Sequence, residues 1–77
     1  MLIVVSYDIP EVKRKSRAWV RDILKFLDFT LVHKSVWIGT KKIPQKFLED
    51  LEKKGLAGHL KIFEVGRSGN LREVNVK

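Results

Sequence analysis

Two groups of residues in this 77-residue chain have types and spacings that chemistry could use. The first is a lone carboxylate, Asp8, which follows an apolar run and stands beside Tyr7. A carboxylate at the carboxyl end of a strand emerges on the rim of a sheet, where it could hold a divalent cation or serve as a catalytic acid or base. A hard cation such as Mg²⁺ wants several oxygens, although it commonly keeps waters and takes only one or two carboxylates together with a substrate phosphate. One Asp8 is therefore a weak metal site, and two copies brought together across a dimer axis make a better one. Asp8-Ile9-Pro10-Glu11 also has the D-x-x-E form of a capping box, with Asp8 accepting amide hydrogen bonds from the first helical turn and Glu11 reaching back. Both readings of Asp8 stand on the residues alone.

The second group is a row of cations, Arg14, Arg17, Arg21 and Lys25, at helical spacing. Like charges on one helix face repel by a few tenths of a kcal/mol per close pair, and an anionic partner relieves that. The row spans roughly 16 Å at 1.5 Å of rise per residue, which suits spaced phosphates along a strand or duplex better than a compact anion. The alternative is a solvated face with Glu11 and Asp22 as partial counterions. Lys41 and Lys42, then Lys53 and Lys54, extend the positive charge at loop and helix ends. Sixteen Lys and Arg against nine Asp and Glu leave a formal charge of +7, and this balance points to a polyanionic partner.

Other chemistries are poorly supplied. The chain has no cysteine, and its two histidines, His33 and His59, are far apart, so thiolate zinc sites and disulfides are excluded and a histidine metal set is weak. Nothing sets Ser6, Ser16, Ser35 or Ser68 beside a histidine backed by an acid, and no glycine-rich phosphate loop is present. Trp19 belongs to an apolar helix face, and Val36-Trp37-Ile38-Gly39-Thr40 offers one aromatic where an RNA-reading sheet would want several.

The elements that must position these residues follow from the hydrophobic pattern. Leu2 to Tyr7 is a β-branched run bounded by Asp8-Ile9-Pro10, and it predicts a central strand. From Glu11 to Leu27 a 100° projection gathers Val12, Trp19, Ile23, Phe26 and Leu27 on one side and the four cations opposite, predicting a helix on a sheet with an outward basic ridge. Phe29 to Thr40 predicts two short strands turning at Lys34-Ser35. Pro44 opens a second helix carrying Phe47, Leu48 and Leu51 on one face, and Gly55 closes it as a left-handed cap before apolar Leu56. His59 to Val65 and Leu71 to Val76 predict two further strands about a turn at Arg67-Ser68-Gly69-Asn70.

This order predicts an α+β fold: one domain over residues 1–77, a ferredoxin-like split β-α-β-β-α-β sandwich with an extra C-terminal strand, an antiparallel sheet and both helices on one face. A domain this small is marginally stable alone. No element remains to cover the second sheet face, yet the strands carry apolar residues at both parities, so a homodimer is expected, with the short last strand available to the partner's sheet edge. The longest apolar run, Leu2 to Val5, is too short for a bilayer, and no secretory leader pattern is present, so a cytoplasmic protein without membrane contact is expected.

Tyr7-Asp8-Ile9-Pro10 after an apolar strand, a basic first helix, and His33-Lys34-Ser35-Val36-Trp37 together resemble the second CRISPR-associated protein, a small family of Mg²⁺-dependent endoribonucleases. The resemblance covers nearly the whole chain in length and element order. It implies a homodimer formed through the sheets that bridges copies of the CRISPR integrase subunit during spacer acquisition and holds DNA, or RNA. It implies Mg²⁺ between the two Asp8 carboxylates, Tyr7 as the aromatic before the metal ligand, and Ser35 as the serine before the next strand's aromatic. Because one acid per chain is thin equipment for hydrolysis, binding without turnover is the more economical expectation. Asp8 to Lys15 and Ser35 to Gly39 are equally similar to the C-terminal domain of phenylacetate-type (PaaX-like) repressors, where the fold serves dimerisation and regulation and a separate winged-helix domain binds DNA. The start at Met1 favours the stand-alone protein in this comparison.

Overall fold

The computed structural model describes residues 1–74 and 76. In chain order it contains β1 (Leu2–Tyr7), a 3-10 turn (Glu11–Lys13) running into α1 (Arg14–Phe26), β2 (Thr30–His33), β3 (Val36–Gly39), α2 (Gln45–Lys53), a second 3-10 turn (Ala57–His59), β4 (Leu60–Val65) and β5 (Leu71–Val74). The strands form one antiparallel sheet in the order β2-β3-β1-β4-β5, the split βαβ arrangement with its extra strand at one edge. The strand expected to reach Val76 ends at Val74; Asn75 lies outside the described residues, and Val76 is buried. Among the described residues no helix is long and apolar enough to cross a membrane.

Strand alternation decides what the helices cover. Ile3, Val5, Trp37, Leu60 and Ile62 share one face and are buried with Val20 and Leu24 of α1 and Phe47, Leu48 and Leu51 of α2. Burial of each such side chain stabilises by about 1.5–3 kcal/mol, so this layer holds the monomer together. The glycine in β3 is part of the same layer. A Cβ at Gly39 would lie 2.7 Å from the Phe29 ring, so the bare backbone is what lets Phe29 lie flat on the strand.

Both helices end in a left-handed residue. At the end of α2, Gly55 has φ +72°, and the Leu56 amide reaches back to the Leu51 carbonyl at 2.8 Å while the Leu56 side chain is buried. At the end of α1 the same device uses Asp28, with φ 63°, and the Phe29 amide donates to the Leu24 carbonyl at 2.9 Å. Asp tolerates this conformation better than most residues with a Cβ, and its carboxylate pairs with Lys41 at 2.8 Å. The turn between β2 and β3 falls at Lys34 and Ser35, as the sequence predicts, with Lys34 at φ 46°.

The face of α1 differs from the projection. Val12 is 90% exposed and Phe26 82% exposed, whereas Val20 and Leu24 are fully buried and Trp19, Ile23 and Leu27 are half-buried. Two causes combine. The segment Glu11–Lys13 is a tighter 3-10 turn, so Val12 is out of phase with the α-helix. Within α1, Val20 and Leu24 lie at one end of the apolar arc, and making them its centre rolls the helix by about a quarter turn from the five-residue projection. The basic row rolls with it, from the expected outward summit to the flank of the helix. On the opposite flank Trp19 packs on Phe47 at 5.5 Å, and Lys54 caps the indole at 4.8 Å.

Candidate functional site

Asp8 sits just past β1 and is exposed. Its backbone is clamped to the start of β4: the Asp8 amide donates to the His59 carbonyl at 2.8 Å, and His59 Nδ1 lies 3.1 Å from the Asp8 carbonyl. Its carboxylate makes no hydrogen bond among the described residues. The capping box expected here does not form. Proline disfavours helical geometry in the residue before it, so the turn cannot start at Ile9, and Pro10 itself is the cap residue, with ψ 153° and no side-chain cap. Asp8 is thus two positions too early, and Glu11, instead of reaching back, binds Arg17 at 2.8 Å.

The same geometry tests the metal reading. Among the described residues no three Asp, Glu or His side chains converge. One chain supplies a single carboxylate at Asp8, and a Mg²⁺ held there would take its remaining oxygens from a second copy, water or a substrate phosphate.

The four cations divide. Arg14, Arg17 and Arg21, with Lys15, Ala18 and Tyr7, line one cleft of about 390 Å³ between the flank of α1 and the end of β1. Lys25, one turn further along, is exposed and does not line it. Arg17 is held by Glu11, and Arg21 meets Asp22 only at 3.8 Å. Among the described residues Arg14 and Lys15 have no acidic partner within 4.0 Å. Four cations against Glu11 and Asp22 leave the cleft with a formal excess of two positive charges. Sequence reasoning missed Lys15, because on a wheel it stands apart from the row; the arginine spacing signalled the rest. Trp37 is 2% exposed and is core, not a stacking platform. Of the outlying lysines, Lys41 is held by Asp28 and Lys54 by Trp19, so they do not continue the cleft.

The face of the sheet away from the helices carries Leu2, Val4, Val36, Ile38, Phe63, Val65 and Leu71, with Lys61 and Glu73 3.9 Å apart near its margin. None of these seven apolar side chains is buried, and Leu71 is 64% exposed.

Comparison with curated proteins and with solved structures finds no match. One family model matches residues 3–75, and it is described as the PaaX protein central Cas2-like domain. That description corrects the expected C-terminal placement to a central one, while the Cas2-like character agrees with the split sheet. By a match that spans nearly its entire length, this chain belongs to the family of PaaX central Cas2-like domains.

Proposed function

We propose that this chain is a homodimerising module whose open sheet face meets a second copy of itself. The observation that carries the reading is that face: seven apolar side chains on one surface of a sheet whose other surface is already filled. Even at about 1 kcal/mol for each, because most are already half-covered, two copies together would gain on the order of 10 kcal/mol. That gain stands against the 4–15 kcal/mol or more that association costs, so covering this face supplies the main driving force for a dimer. Membership of the PaaX central-domain family supports a regulatory setting, in which the module joins two copies of a repressor of the phenylacetate type.

Sedimentation at micromolar concentration tests the reading. A dimer is expected, and Ile38→Lys with Phe63→Asp should give a folded monomer with an unchanged circular dichroism spectrum. A parent chain that stays monomeric at hundreds of micromolar would overturn it.

A second reading is favoured by Arg14, Lys15 and Lys25, which have no acidic partner within 4.0 Å among the described residues. In it the dimer is a scaffold for nucleic-acid backbone, as in CRISPR spacer acquisition, where it would bridge integrase subunits. It expects salt-sensitive, sequence-independent duplex binding, because each phosphate contact releases counterions. The regulatory setting expects none from this module alone.

A further inference from the structure

The geometry points to a phosphate-recognition site in the cleft between α1 and Tyr7, which seats one phosphate group among Arg14, Arg17 and Arg21. This deepens the scaffold reading and rests on it only for the expected source of the phosphate. A linear ridge would treat all four cations alike. The structure separates them, because the roll of α1 carries three arginines and Lys15 to the wall of one concavity and leaves Lys25 outside it. Guanidinium groups present paired donors in a fixed fork that matches phosphate oxygens, and three of them around one concave space favour a seated phosphate group over diffuse attraction.

The cleft is also held ready. Glu11 pairs with Arg17 through a carboxylate that is 73% exposed, so an incoming phosphate replaces a weak surface partner and not a buried one. Glu11 therefore acts as a competitor for the site, a role its place in the sequence does not suggest. Tyr7 lies on the helix side of β1, by the parity it shares with Val5 and Ile3, so the cleft and the open sheet face are on opposite sides of the molecule. Dimerisation and phosphate binding should then be separable.

The test uses isothermal titration with inorganic tripolyphosphate and fluorescence anisotropy with a labelled DNA duplex, both at constant ionic strength. The variant Arg14→Ala/Arg21→Ala is compared with Lys46→Ala/Arg67→Ala, which removes the same charge away from the cleft. The cleft variant should lose about tenfold or more in tripolyphosphate affinity, as expected for charged hydrogen bonds, and the control less than about twofold. Glu11→Gln should bind about two- to fivefold tighter, and Glu49→Gln, which also removes one negative charge, should not. If the cleft variant weakens the duplex in parallel, the phosphate belongs to a nucleic-acid strand. If duplex binding is absent or unaffected while tripolyphosphate is lost, the scaffold reading falls and the site serves a free phosphoanion. Equal losses in the two double variants, or no tripolyphosphate binding by the parent at millimolar concentration, would overturn the site itself.

Discussion

The two faces of the sheet are built from neighbouring residues of the same kinds and have opposite fates. Val5, Trp37 and Ile62 are buried beneath the helices, while Val4, Ile38 and Phe63, one residue away in each strand, are only half-covered. Composition does not separate the sets. What separates them is parity, and the number of helices available to one chain of this length. The contrast teaches that the chain carries more apolar strand surface than it can cover alone, so one face specifies folding and the other is left for association.

Substitutions at adjacent positions should break this contrast if it is wrong. The largest effect is expected at Ile62→Ala, with a loss of about 2–5 kcal/mol in denaturant unfolding from the lost burial and the cavity left behind. Phe63→Ala, its neighbour, should cost the isolated monomer much less and instead weaken the dimer, seen as a fall in the concentration dependence of the melting temperature. Equal costs at the two sites, at a concentration where the parent is monomeric, would show that the faces are energetically alike.

Gly39→Ala should come next, at about 1–3 kcal/mol, because the new methyl collides with the Phe29 ring on the covered face. Thermal unfolding reads it, and a Phe29→Leu background should recover part of the loss. Gly55→Ala should cost about 1–2 kcal/mol for holding a Cβ at positive φ, with no change in oligomeric state. The smallest effect is expected at Asp8→Ala. With no hydrogen bond to its carboxylate, the change in stability should stay within about 0.5 kcal/mol, whereas a true cap would lose about 1 kcal/mol.

The elements were legible where local chemistry and tertiary packing agree. Pro44, Gly55 and Leu56 bracket α2 through a fixed φ, a left-handed cap and an apolar anchor, and all three are short-range effects. Lys34-Ser35 was legible as the only gap between two β-rich runs, although its residues are poor turn formers. The orientation of α1 was not, because seven apolar residues spread over nearly half of the circumference at 100° per residue and only the sheet beneath decides which of them is the centre. The candidate site inherits that limit: arginine spacing exposes a basic face, but only the roll of the helix turns it into a cleft with Tyr7. Asp8 shows the reverse case, in which a motif matched by residue type fails because Pro10 shifts the helix start.

The sheet edges carry one more consequence. β2 is an outer strand with Leu31 and Val32 exposed, and its pairing with β3 slips between Leu31 and His33. Such an irregularity twists an edge and puts its free amides and carbonyls out of step with any incoming strand. At the far edge β5 carries Arg72 and Glu73 on opposite faces of the sheet, so a strand added there must accommodate a charge on each side. A protein that keeps a sticky flat surface for one mate also has to avoid endless side-by-side growth into fibres. The slipped edge and the charged edge work toward that end, so that pairing through the flat surface closes on itself and stops at a finite assembly.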